Sequence, residues 1–297
     1  MLKKLLTTGI IITILSIIIL QKDATHIQTE SAETTSYSSL WDAVMNGSYE
    51  EVEQLLATGI NVNDYEGESA LHAAAQKGDL ALAKLLLEHG ADVHAKSYEA
   101  GWTPLHQAAA FGHLALLELL VAHGANVQEE TQPIADNMYN AFETPLPVAC
   151  RAGHLDVVQF LVEHGVTLSP EESYAPLYNA VASGNSEIVA YLLAKGADCR
   201  NYEQNPPLLV EACMQEHIEI VKLLAAHGYN IDAQDQNGQT PLIMAVQGNH
   251  KELVAYLLEH NADIAREDDL GYTALSYARE QHNTEIENLL LAKGVLT

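Results

Sequence analysis

Residues 101–127 read GWTPLHQAAAFGHLALLELLVAHGANV, and this stretch decides the fold. Thr103 and Pro104 favour a helix start, because the Thr side chain can cap free N–H groups and Pro fixes a helical φ. A short helix with Leu and Ala three residues apart follows and ends at Gly112. A second helix, with apolar residues at three- and four-residue spacing, runs to Gly124. The stretch therefore predicts two short helices joined by a tight turn.

The same pattern recurs along most of the chain of 297 residues. The aligned segments start at Ser38, Ser69, Thr103, Thr144, Ala175, Pro207, Thr240 and Thr273. Counted from each start, the third residue is Leu, the sixth is Ala and the eighteenth is Leu in every segment. The segments start 31–41 residues apart. Repeats of this length are typical of solenoid proteins, in which each unit packs only on its neighbours.

Segments such as 101–127 and NGQTPLIMAVQGNHKELVAYLLEHNADI (237–264) resemble ankyrin repeats. The resemblance covers about residues 36–297 and implies an all-α repeat solenoid of eight helix-turn-helix units with β-hairpin fingers and a concave binding face. Glycines are expected to end the second helix of seven units, and they are Gly59, Gly90, Gly124, Gly165, Gly196, Gly228 and Gly294. Asn261 takes this place in the seventh unit, where we expect a left-handed cap.

Some units depart from the pattern. Glu216, Asn249 and His282 replace the Gly between the two helices of their units. The first unit has SSLW where other units have TPLH, which fits a terminal unit with one neighbour. None of these departures changes the expected fold.

The N-terminus differs from the rest of the chain. MLKK precedes an uncharged, largely apolar run, LLTTGIIITILSIIIL, at residues 5–20. We interpret residues 1–22 as a signal peptide or membrane anchor that forms an N-terminal hydrophobic helix, although a buried core helix is an alternative. Residues 23–35 are polar and are interpreted as a flexible tether. Because basic residues stay cytoplasmic, we expect the repeats to be exported to a periplasmic or other extracytoplasmic location, either anchored or released by cleavage.

The charge balance limits the classes of partner. The chain has 14 Lys and Arg against 40 Asp and Glu, and three of the basic residues lie in the first 22 positions. The repeats are therefore strongly acidic, which disfavours binding to DNA or RNA. Long-range attraction favours a cationic protein instead.

The reactive residue types follow the repeat rather than a catalytic pattern. Three cysteines at wide spacing, without a Cys-x-x-Cys pair, indicate structural thiols. Nearly all of the 14 histidines fall at recurring repeat positions, so we interpret them as part of the scaffold. The sequence contains no phosphate-binding loop, nucleophile elbow or His-Glu-x-x-His motif. We therefore expect neither enzyme activity, nor a cofactor, nor a metal site.

In ankyrin-like stacks, partners contact the finger tips and the exposed ends of the first helices. Transferring those places to this chain gives a set of predicted partner-binding residues, some of them aromatic. They are Tyr65, Glu66, Glu68, Glu99, Trp102, Phe111, Met138, Tyr139, Phe142, Glu143, Arg151, Glu171, Glu172, Tyr174, Glu203 and Met214. Trp102 and Phe111 are interpreted either as exposed aromatic contacts or as side chains packed on the next finger. Adjacent acidic pairs such as Glu171 and Glu172 are expected to form a solvated rim on a hairpin finger.

The third finger is lengthened. The spacing between the third and fourth units is 41 residues, which inserts about eight residues at 131–143, TQPIADNMYNAFE. Loop insertions cost little closure entropy, but this one contains Met138, Tyr139 and Phe142. These side chains either pack on the stack or are exposed for contact with a partner.

The sequence thus favours a monomeric, non-enzymatic interaction module that binds a cationic protein through its concave face and long third finger. The partner could be a secreted enzyme or toxin that the module restrains. One alternative is a secreted effector that engages host proteins. Another is a hydrolase with an unrecognised site.

Overall fold

The structure is a computed structural model that describes residues 37–65, 67–98, 100–131, 143–168, 170–200 and 207–294. Side chains are described from residue 40 onward, except those of 170–174. Residue contacts divide the chain into the units Met1–Ser39 and Leu40–Thr297, and all described side chains lie in the second. The apolar stretch 5–20 lies outside the described residues. Among the helices that are described, none has the length and apolar character needed to cross a membrane.

The described residues form sixteen α-helices that follow one another in pairs. The first helices of the pairs are α1 Tyr37–Asn46, α3 Ala70–Lys77, α5 Pro104–Phe111, α7 Pro145–Ala152, α9 Pro170–Ala182, α11 Leu208–Met214, α13 Pro241–Gln247 and α15 Ala274–Glu280. The second helices are α2 Tyr49–Ala57, α4 Leu80–Glu88, α6 Leu114–Ala122, α8 Leu155–Glu163, α10 Ser186–Ala194, α12 Ile218–Ala226, α14 Lys251–Glu259 and α16 Thr284–Gly294. This arrangement confirms an all-helical repeat solenoid, and the number of eight repeats stays a prediction from the sequence.

The recurring Ser or Thr begins several first helices, as predicted. The hydroxyl of Thr240 accepts a hydrogen bond from the amide of Ile243 at 3.2 Å, and Thr273 accepts one from Ser276 at 3.2 Å. These bonds satisfy amides that a helix start leaves without an intrahelical partner. Ser38 and Ala175 are exceptions, because both lie inside helices rather than before them.

The recurring Leu and Ala residues form the core. The aligned Ala residues are at most 1% exposed, and their small side chains let neighbouring first helices approach closely. The third-position Leu residues are at most 4% exposed, apart from a partly buried Leu275 in the last unit. Each buried Leu stabilises the stack by about 1.5–3 kcal/mol, so stability comes from a repeated apolar seam.

The turns that follow the helices need a left-handed residue, and four positions supply it without glycine. Glu216, Asn249 and His282 have φ of 60°, 62° and 55°, so they take the conformation that Gly adopts in the other units. Asn261 has φ of 63°, which confirms the predicted left-handed cap. Gly294 was expected to do the same, but it is the last residue of α16 and has no positive φ, so that expectation was wrong.

The fingers between units are turns rather than β-hairpins. Within the described ranges the structure contains no strand, and the one isolated bridge joins Glu267 and Thr273. Asp, Asn and Ser side chains close these turns locally: Asp235 accepts amide hydrogen bonds from Asn237 at 2.9 Å and Gln239 at 2.8 Å. The predicted β-hairpin fingers therefore form no regular strands within these ranges. Isolated backbone bonds, such as that from the amide of Ser97 to the carbonyl of Trp102 at 2.8 Å, close the turns together with these side-chain bonds.

The fifth unit also differs from the prediction. Helix α9 begins at Pro170, five residues before the aligned start, and includes Pro176 in its interior. Glu171, Glu172 and Tyr174 therefore lie in a helix and not on a hairpin finger. Pro170 followed by two acidic residues is a typical helix start, because Pro fixes φ and negative charge favours the N-terminal pole.

The base of the insertion is pinned to the stack. The amide of Thr131 donates to the carbonyl of Glu143 at 3.0 Å, and the amide of Glu143 donates to Oγ1 of Thr131 at 2.9 Å. Residues 132–142 lie outside the described residues. Thr131 and Glu143, which flank these residues, are hydrogen-bonded to each other, so the insertion begins and ends at one place on the stack. The first helices α5 and α7 keep their regular bounds.

Candidate partner-binding surface

The large apolar side chains exposed to solvent define where a partner can gain contact area. Among the described residues they are Tyr49, Tyr98, Phe111, Met214, Leu270, Tyr272 and Leu291. Phe111 and Met214 are the final residues of α5 and α11, at 38% and 45% exposure. Both were predicted from the sequence as partner-binding residues, and the structure places both in solvent.

Phe111 is held in place by its own turn. Its ring stacks on that of His113, with centroids 6.3 Å apart and planes 8° from parallel. Nε2 of His113 in turn lies 3.0 Å from the carbonyl oxygen of Gln76 in the preceding first helix. Phe111 is thus an exposed aromatic on a fixed support, so a partner would lose little side-chain entropy on binding it.

Trp102 is partly buried rather than exposed. Its ring stacks on that of His106 with centroids 6.2 Å apart, and its buried Nε1 finds no acceptor among the described residues. Its carbonyl oxygen lies 2.8 Å from Nε2 of His72. The ring contact of Trp102 is with a histidine of its own unit and not with the next finger, so its role in partner binding stays a prediction.

Two other finger residues predicted to bind a partner contact neighbouring repeats. The hydroxyl of Tyr65 donates to the carbonyl of Lys96 at 3.3 Å. Oε1 of Glu68 accepts a hydrogen bond from Nε2 of Gln107 at 2.8 Å. Both side chains are partly buried, so part of their polar surface is already used within the stack.

Glu143 and Arg151 bind each other. The two guanidinium nitrogens of Arg151 donate to the two carboxylate oxygens of Glu143 at 2.6 and 3.2 Å. The Glu143 side chain is 11% exposed and that of Arg151 is 42% exposed. Since the acid is mostly covered, the group of this pair that faces solvent is the guanidinium.

Several predicted partner-binding residues cannot be placed in this way. Glu66, Glu99, Met138, Tyr139, Phe142 and Glu203 lie outside the described residues. Glu171, Glu172 and Tyr174 have a helical backbone, but their side chains are not described. Their role in partner binding stays a prediction.

Tyr98 and Leu270 were missed by the sequence reasoning. They are 78% and 77% exposed, the highest values among the large apolar side chains that are described. The amide of Tyr98 donates to the carbonyl of Gly67 at 3.0 Å, which fixes its turn to the preceding finger. The alignment considered residues just before each helix cap, whereas Tyr98 lies five residues before Thr103. The sequence signal that could have identified Tyr98 as exposed is its position as a bulky residue inside a turn rich in Ser, Glu and Gly.

Charged residues are distributed unequally among the first helices, the second helices and the fingers. The described side chains of the first helices include three acidic residues, Asp42, Glu211 and Glu280, and three basic residues, Lys77, Arg151 and Arg279. The second helices carry 13 acidic residues and four basic ones. The fingers are also acidic, as in Asp232, Asp235, Asp263, Glu267, Asp268 and Asp269 around the last two. Glu171 and Glu172 of α9 bring the acidic residues of the first helices to five, so most of the negative charge lies on the second helices and fingers.

His72 and His106 join the starts of two helices to the next fingers. Nδ1 of His72 accepts from the amide of Ser69 at 3.2 Å, so Nε2 carries the proton and donates to the carbonyl of Trp102 at 2.8 Å. His106 repeats this arrangement with the amide of Thr103 at 3.2 Å and the carbonyl of Glu143 at 3.0 Å. Burial of the rings lowers the pKa of both histidines to about 4. Neither can act as a base near neutral pH.

Histidines also follow the second helices, at the recurring position before the left-handed cap. Nδ1 of each lies 2.8–2.9 Å from the carbonyl four residues earlier, as in the pairs His89–Leu85, His123–Leu119, His164–Phe160, His227–Leu223 and His260–Tyr256. Each of these carbonyls also accepts from the backbone amide of the same histidine, so the ring adds a second hydrogen bond at the helix end. This is the scaffold role predicted from their repetition.

The cysteines are not poised to react either. All three cysteines are free and buried, and burial raises the pKa of the Cys150 and Cys213 thiols far above the usual range. A thiol held neutral in this way is a poor nucleophile. Within the same residues, no group of three or more His, Cys, Asp or Glu side chains is arranged to hold a metal ion.

Comparison with known proteins decides the family. A family model described as "Ankyrin repeats (3 copies)" matches residues 13–97, 40–131, 131–203 and 209–296. The chain belongs to the ankyrin repeat family. The crystal structure of the human ASB11 ankyrin repeat domain is similar, with a TM-score of 0.64 and 29% identity. The similarity covers 76% of this chain and 98% of that domain.

Curated relatives match shorter parts. Protein phosphatase 1 regulatory subunit 27 of Homo sapiens is 38% identical over 66 residues, which is 21% of this chain and 42% of that protein. An ankyrin repeat protein of Pyrobaculum aerophilum is 42% identical over 66 residues, which is 22% of this chain and 25% of that protein. The ankyrin repeats of this chain thus match less than half the length of either relative. Ankyrin repeat proteins generally mediate protein–protein interactions, and their repeat domains are typically non-enzymatic.

Proposed function

We propose that this ankyrin repeat protein is a non-enzymatic, monomeric module of eight repeats that binds a basic protein partner. The observation that carries the proposal is the exposure of Phe111 and Met214 at the ends of two first helices. These helices are separated in the stack by α7 and α9. At 8–10 Å per packed helix, the two side chains lie roughly 24–30 Å apart. A single partner helix of about 16–20 residues spans that distance.

The partner's basic character is inferred from the charges. The first helices carry a small excess of acidic residues, and the fingers and second helices are strongly acidic. A partner that covers Phe111 and Met214 with apolar side chains would place its basic residues against the fingers. Attraction of this kind raises the association rate and weakens as salt screens it. The sequence of the insertion, with Met138, Tyr139 and Phe142, supports the third finger as a further contact.

Affinity capture with the full chain tests this proposal. At low salt the chain should recover a basic protein reproducibly, and the purified pair should bind with an affinity that falls as the salt concentration rises. Capture of an acidic partner, or binding that does not change with salt, would contradict the electrostatic part. A partner whose binding survives loss of both exposed apolar side chains would contradict the choice of surface.

The location is proposed from the first 22 residues alone. A basic start followed by the apolar run 5–20 supports export of the repeats, with residues 23–35 as a tether. N-terminal sequencing of the mature protein, combined with membrane fractionation, is the direct test. An intact N-terminus in a soluble cytoplasmic fraction would overturn this proposal.

A further inference from the structure

Two repeats contain a titratable group at the contact between one unit and the next finger. The fourth residue of the aligned unit is His in the second and third units, as His72 and His106. In the other units it is Trp41, Pro147, Tyr178, Val210, Ile243 and Ser276, none of which gains a proton between pH 7 and pH 4. Any acid response at this contact is therefore confined to the two fingers that follow α4 and α6.

The backbone amide at each Nδ1 favours the uncharged ring. Nδ1 of His106 accepts from the backbone amide of Thr103 at 3.2 Å and lies 2.9 Å from the Thr103 hydroxyl. A proton on Nδ1 would point at the Thr103 N–H, so this bond must break when the ring becomes charged. His72 is held in the same way by Ser69, with the amide at 3.2 Å and the hydroxyl at 2.7 Å. The charged ring is favoured only where it can leave this setting for water.

The charges around the two rings do not offset this conflict. Glu129 is an acid that favours a charged His106, but Lys96 lies 3.0 Å from the Glu129 carboxylate and opposes it. His72 itself disfavours a second positive charge at His106. The backbone carbonyl of Glu143 accepts the hydrogen bond from Nε2 of His106, and the side-chain carboxylate of Glu143 is paired with Arg151. The nearest titratable ring to His72 is Tyr65, at a centroid distance of 6.4 Å.

We propose that His72 and His106 form an acid-sensitive joint, which loosens the fingers at residues 97, 98 and 100–102 and at 131 and 143 while the rest of the described stack stays folded. His72 releases the Trp102 carbonyl, and His106 releases the Glu143 carbonyl at the base of the insertion. The proposal rests on the proposed function in one respect. One loosened finger leads directly into α5, the helix that ends at Phe111, so acid would weaken partner binding at that surface.

The size of the effect follows from linkage. The native rings have a pKa of about 4, and an opened ring has the ordinary value of about 6.5. The opening equilibrium of each joint should therefore rise about tenfold for each pH unit between 6.5 and 4. Above pH 6.5 it should be independent of pH.

Amide hydrogen exchange of the full chain, followed by NMR and corrected for intrinsic rates, tests the joint without any partner. The reporters are the amides of Ser69 and Thr103, which donate to the two Nδ1 atoms. The internal control is the amide of Thr273, which lies 3.4 Å from the Ser276 hydroxyl at the same place in the last unit. Between pH 6.5 and 5 the protection of Ser69 and Thr103 should fall about 15-fold, while that of Thr273 stays constant.

His106→Ser provides a matched variant, because it copies the Thr-x-x-Ser arrangement of Thr273 and Ser276. In this variant the Thr103 amide should lose its pH dependence, whereas the Ser69 amide should keep it. Equal pH dependence of all three amides in the native chain would overturn the proposal, as would a persistent response of Thr103 in the variant. These outcomes concern the joint alone. A chain whose joint opens with acid but which binds no basic partner would instead refute the proposed function.

Discussion

Gly78 and Gly90 allow a direct test of how the turns between helices are fixed. Both have a left-handed backbone, with φ of 69° and 83°. A Cβ at Gly78 would lie 2.5 Å from Nδ1 and 2.7 Å from Cγ of His113, whereas a Cβ at Gly90 would meet nothing within 4 Å. Substitution of each by Ala therefore separates the cost of the backbone conformation from the cost of a close contact.

The two free-energy costs can be estimated separately. A left-handed Ala costs about 1–2 kcal/mol, and reduced freedom of the unfolded chain returns about 0.4–1 kcal/mol, so Gly90→Ala should destabilise by about 1 kcal/mol. Gly78→Ala also forces the His113 ring away from the Gln76 carbonyl, which lies 3.0 Å from its Nε2. The lost hydrogen bond contributes about 1 kcal/mol and the altered rotamer about 1 kcal/mol. The total for Gly78→Ala is therefore about 3 kcal/mol.

Urea unfolding of the full chain at pH 7 measures both values. The double variant Gly78→Ala with His113→Ala isolates the contact, because without the ring the Gly78 substitution should cost only about 1 kcal/mol more than His113→Ala alone. Equal destabilisation by Gly78→Ala and Gly90→Ala would refute the reasoning. So would an undiminished cost of Gly78→Ala in the background lacking His113.

Three other outcomes follow from the structure. Because the pKa values of His72 and His106 are lowered to about 4 by burial, their contribution to stability is complete above pH 6.5 and is lost as pH falls toward 4, at about 1.4 kcal/mol per pH unit each. Urea unfolding between pH 6.5 and 5 should show this slope, and His72→Gln should reduce it by half. A thiol reagent at neutral pH should leave the three buried cysteines of the folded chain unmodified and should label all three in urea; rapid labelling of the folded chain would show that the cysteines are accessible. Glu143→Gln should reduce thermal stability by less than about 1 kcal/mol, since Arg151 is partly exposed, and a larger loss would show that the pair closes the insertion.

The repeat could be predicted from the sequence because each unit carries the residues that begin and end its own helices. Ser69, Thr103 and Thr240 begin helices as expected, and Asn261 takes the left-handed conformation that its position requires. These features depend on short-range chemistry that recurs in every unit. Prediction failed where a unit had a second valid start. The Pro170 start competes with the aligned Pro176, and α9 begins at the earlier one.

The candidate surface was harder to predict, because exposure depends on neighbouring units. The alignment put Trp102 and Phe111 in equivalent settings, yet the ring of Trp102 packs on His106 while Phe111 remains in solvent. Glu143 and Arg151 were both predicted as partner contacts, and they satisfy each other. A pattern within one repeat does not contain the contacts between repeats. For the same reason, the high exposure of Tyr98 was missed.

The most direct test of the central claim compares two pairs of exposed apolar side chains. Once a basic partner is captured and purified, calorimetry should give its dissociation constant for the full chain and for two double variants. Phe111→Ala with Met214→Ala removes the proposed contacts, and Tyr49→Ala with Leu291→Ala removes side chains of similar exposure from second helices. We expect the first variant to weaken binding at least 30-fold, with about 1 kcal/mol lost per contact, and the second to bind like the native chain. Native-like affinity in the first variant, or an equal loss in both, would contradict the proposed surface.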